Sequence, residues 1–233
     1  MRGGPSRMNA QEDFYGKISR VPRPKEQARS TYDRVSRYYD VFTRVEEGPR
    51  SAALQKLGAK EGEKVLELGF GTGHGIVALA RSVGPSGRVY GVDLSEGMRK
   101  VTQVRVDKAG LSDRVELQCG DAVDLSFGSE FFDAIFMSFT LELFDTPEIP
   151  IVLREARRVL RHGGRICVVA MSKKGPDSAL LTVYEWAHRT FPAYVDCRPI
   201  FVQEAVEDAG FRIVEAATIS LWGLPGEIVV AEK

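Results

Sequence analysis

The residues best placed to do chemistry are Val65-Leu66-Glu67-Leu68-Gly69-Phe70-Gly71-Thr72-Gly73. An apolar run carrying one acid breaks into three glycines spaced by two. An apolar run bounded by glycine reads as a buried strand. Glycines at its end permit a tight turn and let a ligand approach the backbone closely. A helix following the turn offers free N–H groups and a positive dipole end to an anionic group. The pattern predicts a nucleotide-like ligand at the first strand–helix turn of an open α/β sheet. The spacing narrows the ligand. With Gly69 and Gly71 as its first two glycines, the dinucleotide fingerprint G-x-G-x-x-G requires glycine at 74. Position 74 is His74, and glycine falls at 73 and 75 instead.

Later strand ends supply further contacts. Tyr90-Gly91-Val92-Asp93-Leu94 closes on Asp93, about twenty positions past the glycine turn, where a carboxylate can accept hydrogen bonds from a ribose diol. Nicotinamide enzymes use the same device, so Asp93 alone does not separate the two ligand classes. Met98, one turn into the next helix, either lies against an adenine face or packs in the core. Asp121-Ala122 and Ser138-Phe139 follow the third and fourth strands, at the carboxyl ends where open α/β sheets bind ligands. Asp133, at a strand start, reads as structural.

On these residues the chain resembles the class I S-adenosylmethionine-dependent methyltransferases, whose first motif reads hydrophobic–Asp/Glu–hydrophobic–Gly-x-Gly-x-Gly. The resemblance covers about residues 30–170. It implies S-adenosylmethionine as cofactor, with contacts from Glu67, Gly69, Gly71, Thr72, Gly73, Asp93, Leu94, Met98, Asp121, Ala122, Ser138 and Phe139. In the family the acidic–small pair matching Asp121-Ala122 holds the adenine amino group. The run Tyr32-Asp33-Arg34-Val35-Ser36-Arg37-Tyr38-Tyr39-Asp40 looks like the N-terminal helix of ubiquinone/menaquinone-biosynthesis C-methyltransferases. A Tyr-Asp pair covers the cofactor there, and Tyr39-Asp40 matches it. Residues 155–164 resemble the helix and turn before strand five in those enzymes. Residues 172–200, with Asp196-Cys197-Arg198-Pro199-Ile200, depart from their substrate segment. The acceptor is thus a small or lipid-like molecule, quinone-type or phospholipid-type. A nicotinamide-dependent oxidoreductase and a non-catalytic cofactor-binding module stand as alternatives.

Methyl transfer from a sulfonium is an in-line displacement, for which a protein aligns the reactants and excludes water. A carbon or hydroxyl nucleophile also needs a base, whereas an amine can arrive neutral. The candidates are His74, beside the glycine turn, and His188 with Tyr184, four apart on one helical face. Arg198 binds an anionic head group or forms a salt bridge. Trp222 and Phe139 line an apolar pocket or pack in the core. His162 suits a helix C-terminus.

These residues need a scaffold of alternating strands and helices. The pattern predicts strands at Lys64–Leu68, Arg88–Val92, Val115–Gln118, Phe132–Met137 and Arg165–Ala170. Helices are predicted over Gln27–Val45, Gly75–Val83, Glu96–Ala109 with Ser95 as N-cap, and Ile149–Leu160 ending at His162-Gly163-Gly164. Helices over Asp177–Thr190 and Val202–Ala209 then precede strands Arg212–Ile219 and Glu227–Glu232, split by a turn at Gly223-Leu224-Pro225-Gly226. The expected fold is a Rossmann-like, doubly wound, seven-stranded, mostly parallel sheet with the last strand antiparallel and helices on both faces. The predicted organisation is a flexible arm over 1–28 and one domain over 29–233, with a small helical cap around 172–210.

Composition is compatible with this. The chain has 233 residues, 43% of them hydrophobic, and zero formal net charge, which argues against whole-protein attraction to nucleic acid. No apolar run approaches a membrane span, and the N-terminus lacks the apolar segment of a signal peptide. The expected setting is cytoplasmic. Cys119, Cys167 and Cys197 are widely spaced with no zinc pattern, so no metal is expected. Basic residues in the arm suit a solvated tail or contact with anionic lipid at a membrane periphery. The sequence leaves oligomerisation open.

Overall fold

The computed structural model describes residues 15–16, 18–21, 24–36, 46–174, 179–190, 197–221 and 223–233. Seven strands form one sheet: β1 Lys64–Leu68, β2 Arg88–Asp93, β3 Val115–Cys119, β4 Phe132–Ser138, β5 Leu160–Met171, β6 Arg212–Leu221 and β7 Leu224–Glu232. Their order is β3-β2-β1-β4-β5-β7-β6. The first five pair in parallel, and β7 runs antiparallel to both β5 and β6. The helices are α1 Lys25–Val35, α2 Glu47–Leu57, α3 His74–Ser82, α4 Glu96–Lys108, α5 Ile149–Val159, α6 Ala179–Thr190 and α7 Val202–Asp208.

The central strands β1 and β4 are buried over nearly their whole length, as expected for parallel strands covered on both faces. Their side chains divide alternately between two cores. Leu66, Leu68, Ile135 and Met137 join Val152, Leu153 and Ala156 of α5 and Val202 and Val206 of α7. Val65, Ala134 and Phe136 join Ala53 and Leu57 of α2, Ile76 and Leu79 of α3 and Val106 of α4. The sheet is therefore sandwiched, and the loops after β1, β2, β3 and β4 emerge together at its carboxyl end.

Three features differ from the sequence expectation. Helix α2 was not foreseen: Gly48 and Pro49 in its first turn look like a break, and only Ala53 and Leu57 are buried. Proline is tolerated there because first-turn N–H groups lack helical partners anyway. Second, α5 stops at Val159, and Leu160 is already extended with ψ 134°. Leu160 pairs with Phe132, whereas Arg165 pairs with Ala134, so residues 161–164 form a bulge inside β5 rather than a turn before it. His162 accordingly sits beyond the helix, with Nε2 3.0 Å from Glu130. Third, the final hairpin is tighter than expected, because Leu221 already pairs with Leu224. Gly223, with φ 84°, supplies the left-handed conformation of that turn.

Candidate functional site

The turn after β1 is built around glycine. Gly69 and Gly73 hold φ of 70° and 83°, a region that costs other residues about 1–2 kcal/mol. Neither has room for a side chain. A Cβ on Gly69 would fall 2.3 Å from Thr140 Cγ2, and one on Gly73 would fall 2.5 Å from Thr102 Cγ2. The two threonines also fasten the loop. Thr102 donates its hydroxyl to the Gly71 carbonyl at 2.7 Å, and Thr140 donates to the Gly69 carbonyl at 3.4 Å.

Two cavities flank this turn and share Gly69 and Thr140 as walls. The larger, about 910 Å³ with its open mouth, is lined by Asp93, Leu94, Asp121 and Ala122 on one side and Leu143, Phe144, Asp145 and His188 on the other. Asp93 accepts the Gly71 N–H and the Ser95 N–H, both at 2.9 Å, one on each oxygen. A carboxylate oxygen has capacity for a second donor. Burial pushes the Asp93 carboxyl up to about 6, against the pull of those two N–H groups.

Helix α1 adds Lys25, Ala28 and Tyr32 to the lining of this cavity. Lys25 Nζ lies 2.6 Å from Asp121 and 2.5 Å from Glu148. Burial works against the ammonium, but hydrogen bonds to both carboxylates prevail and raise its pKa. At the other end of α1, Asp33 accepts from the Ser95 hydroxyl at 2.6 Å and the Gly97 N–H at 2.8 Å. Ahead of the helix, Arg20 Nε donates to Asp145 at 2.8 Å, and Ile18 is buried. The described part of the N-terminal segment is thus docked across the site.

The smaller cavity, about 470 Å³, is lined by Glu46, Arg50, Glu67, Thr72, His74, Ser138 and Phe139 among others. Glu67 is 2% exposed and its Oε2 has no hydrogen-bond partner. Burial pushes its carboxyl up to about 8; Arg50 opposes the shift and Asp93 adds to it. Its Oε1 occupies the space where a Cβ on Gly75 would stand. Ser138 Oγ is likewise buried without a partner.

The sequence candidates separate in space. His188 is buried against the larger cavity. Tyr184, one turn earlier, donates its hydroxyl to the Cys197 carbonyl at 3.1 Å and lines neither cavity. His74 is exposed at the smaller cavity, with Nδ1 3.0 Å from an Arg105 nitrogen. Met98 is buried in the cluster with Phe70, Val106 and Leu111 and lines neither cavity. Tyr39, Asp40, Asp196 and Trp222 lie outside the described residues. Sequence reasoning missed Lys25, Tyr32, Arg50, Thr102, Thr140 and Glu148. The signals that could have found them were weak: a Tyr-Asp pair at 32–33 like the one at 39–40, and threonines opposite obligate glycines. Among the described residues no cluster of His, Cys, Asp or Glu could hold a metal, and no helix is long and apolar enough to cross a membrane.

Comparison with known proteins agrees with this geometry. Residues 65–164 match a family model described as a methyltransferase domain. Demethylmenaquinone methyltransferase of Staphylococcus aureus is 31% identical over 154 residues, or 64% of this chain and 62% of that protein. A solved S-adenosylmethionine-dependent methyltransferase from Aquifex aeolicus is 25% identical, with a TM-score of 0.64 over 85% of this chain and 97% of that one. The [4+2]-cyclase SpnF, at 19% identity, has a TM-score of 0.73 over 93% of this chain and 98% of that one, a likeness of fold alone. Residues 65–164 thus carry a methyltransferase domain, and the sheet order is that of the class I S-adenosylmethionine-dependent methyltransferase fold. It spans 62% of the length of the curated relatives it matches.

Proposed function

We propose that the protein transfers a methyl group from S-adenosylmethionine to a small, largely apolar acceptor of quinol type. The observation that carries this is the pair of cavities meeting at Gly69 and Thr140. The donor set fits the cofactor. Asp93 keeps acceptor capacity for a ribose diol, and Asp121 and Ala122, which line the same cavity, are our candidates for the adenine edge. Buried Glu67 and Ser138 hold acceptor positions for an ammonium, and Arg50 answers a carboxylate. Bound here, where the two cavities meet, the cofactor would supply an electrophilic methyl group. The glycine turn brings backbone rather than side chain to that junction. Helix α1 excludes water from it.

Support for a quinol-type acceptor comes from the Staphylococcus aureus relative and from apolar wall residues such as Leu143 and Phe144. An acceptor methylated at carbon or at a hydroxyl oxygen would have a proton to give up. His188, at the cavity wall, is our candidate to receive it. His74, at the other cavity, is our candidate for the amino-acid end of the cofactor instead.

Calorimetric titration with S-adenosylhomocysteine and with NAD tests the cofactor: tight binding of the former alone is expected, and the reverse overturns the reading. Incubation with methyl-labelled cofactor and 1,4-naphthalenediol should give a labelled naphthol product. Label transferred only to phosphatidylethanolamine would move the acceptor to the phospholipid class. Cofactor binding without transfer to any acceptor would favour a fold retained for another use, as the likeness to a cyclase allows.

A further inference from the structure

Lys25 lines the larger cavity, and its side chain is 33% exposed, so a ligand can reach it. An ammonium has three N–H donors and no acceptor. Two of the three are taken: Nζ lies 2.6 Å from Asp121 Oδ2 and 2.5 Å from Glu148 Oε1. Backbone N–H groups hold both acids by their other oxygens. Val123 donates to Asp121 Oδ1 at 3.2 Å, and Asp145 donates to Glu148 Oε2 at 3.3 Å. The lysine therefore bridges two anchored carboxylates, one just after β3 and one capping α5. Among the described residues its third N–H has no hydrogen-bond acceptor. The Phe144 ring, its centroid 5.9 Å from Nζ, offers only the outer edge of a cation–π contact.

Asp121 and Lys25 thus hold an acceptor and a donor 2.6 Å apart in the lining of one cavity. Lys25 is the only lysine or arginine among the described residues that line it. Asp145, another lining acid, is already occupied by Arg20 and by the Val21 and Thr146 N–H groups. A carboxylate beside a spare N–H is complementary to a ring that carries an amino group next to an unprotonated nitrogen. We propose that Lys25 is a specificity-determining residue: it donates its third N–H to a purine ring nitrogen adjacent to the amino group that Asp121 accepts. The base of the cofactor is then read as a 6-aminopurine by two side chains, one from α1 and one from the loop after β3. A charge-assisted bond of this kind is about twice as strong as a neutral one. The competing account is that Lys25 only tethers α1. A tether acts on every nucleoside alike, whereas a ring-nitrogen contact acts only on those that carry that nitrogen.

This inference rests on the methyl-transfer reading, and its test lets the two fail separately. The full chain is titrated calorimetrically with S-adenosylhomocysteine and with its 1-deaza and 7-deaza analogues, each of which has C–H in place of one ring nitrogen. The wild-type protein should bind at least one analogue about tenfold or more weakly than S-adenosylhomocysteine, the effect of losing one hydrogen bond to a charged group. Lys25→Met should weaken S-adenosylhomocysteine by a similar factor and erase the penalty of one analogue. Lys25→Gln, which keeps a neutral donor, should show an intermediate penalty for the same analogue and serves if the methionine variant does not fold. Penalties that survive both substitutions, including an equal weakening of all three ligands, assign the lysine to tethering and overturn the inference. Wild-type binding that ignores both ring nitrogens also overturns it, while leaving the methyl-transfer reading intact. If S-adenosylhomocysteine itself does not bind, the methyl-transfer reading falls and takes this inference with it.

Discussion

Glu67 and Asp93 hold protons that carboxylates normally release, and the cause is burial. For Glu67 the folded value near 8 lies above its ordinary 4.5. Between those values the folded state binds a proton the unfolded chain has lost, so raising pH through this window favours unfolding. Glu67→Gln should therefore flatten the decline of melting temperature across that range, read by thermal denaturation at a series of pH values. A ligand ammonium placed beside Glu67 would favour its ionised form, so cofactor binding at pH 7 should release about one proton. The binding heat would then vary with the buffer's ionisation enthalpy, and Glu67→Gln would remove that variation. Asp93→Ala should weaken S-adenosylhomocysteine roughly tenfold or more through lost acceptors and a loosened Gly71. Unchanged affinity in the folded variant would count against its role.

The turn between β1 and α3 works as one element with the threonines facing it. Gly73→Ala should cost about 2–4 kcal/mol, from backbone strain and from crowding against Thr102. Adding Thr102→Ala should recover only the crowding share, as measured by urea denaturation of the single and double variants. Full recovery would show that the positive φ costs nothing. Much at this scale was legible in the sequence. The boundaries of β1, β2 and β4 and the Ser95 cap follow from apolar runs and punctuating residues, which are local signals. Helix α2 was not legible, because its first turn carries Gly48 and Pro49 and little of it is buried. The role of Lys25 was also hidden: it depends on Asp121 and Glu148, far along the chain, and no local pattern encodes such a pairing. For the same reason Arg198 could be noted from sequence, but its burial against the Phe144 carbonyl could not.

At the scale of the whole molecule, the polar contacts that tie the described part of the N-terminal segment to the body are Arg20 to Asp145, Lys25 to Asp121 and Glu148, and Asp33 to Ser95, beside the buried Ile18. Partly exposed ion pairs such as those of Lys25 contribute about 0–1 kcal/mol each. Helix α1 should therefore open locally at far lower cost than the central strands. Hydrogen exchange should find its amides exchanging well before those of β4, with S-adenosylhomocysteine slowing them. Lys25→Ala should speed exchange in α1 and leave the melting temperature within a few degrees. Equal protection of α1 and β4 in the free protein would refute this.

The strand order has a consequence during synthesis. The strands that frame the cofactor turn, β1 to β4, can assemble as soon as residue 138 has emerged. Strand β5 then waits with one long side unpaired, carrying Val168, Val169 and Ala170, until β7 arrives to fill the place between β5 and β6. At typical elongation rates that wait is on the order of several seconds. An apolar strand with a bare edge is a template for other nascent chains. The hazard of aggregation in this protein is thus concentrated in one interval of translation. A variant that slows hairpin formation at Gly223 should lower soluble yield more than it lowers the stability of the molecules that finish folding.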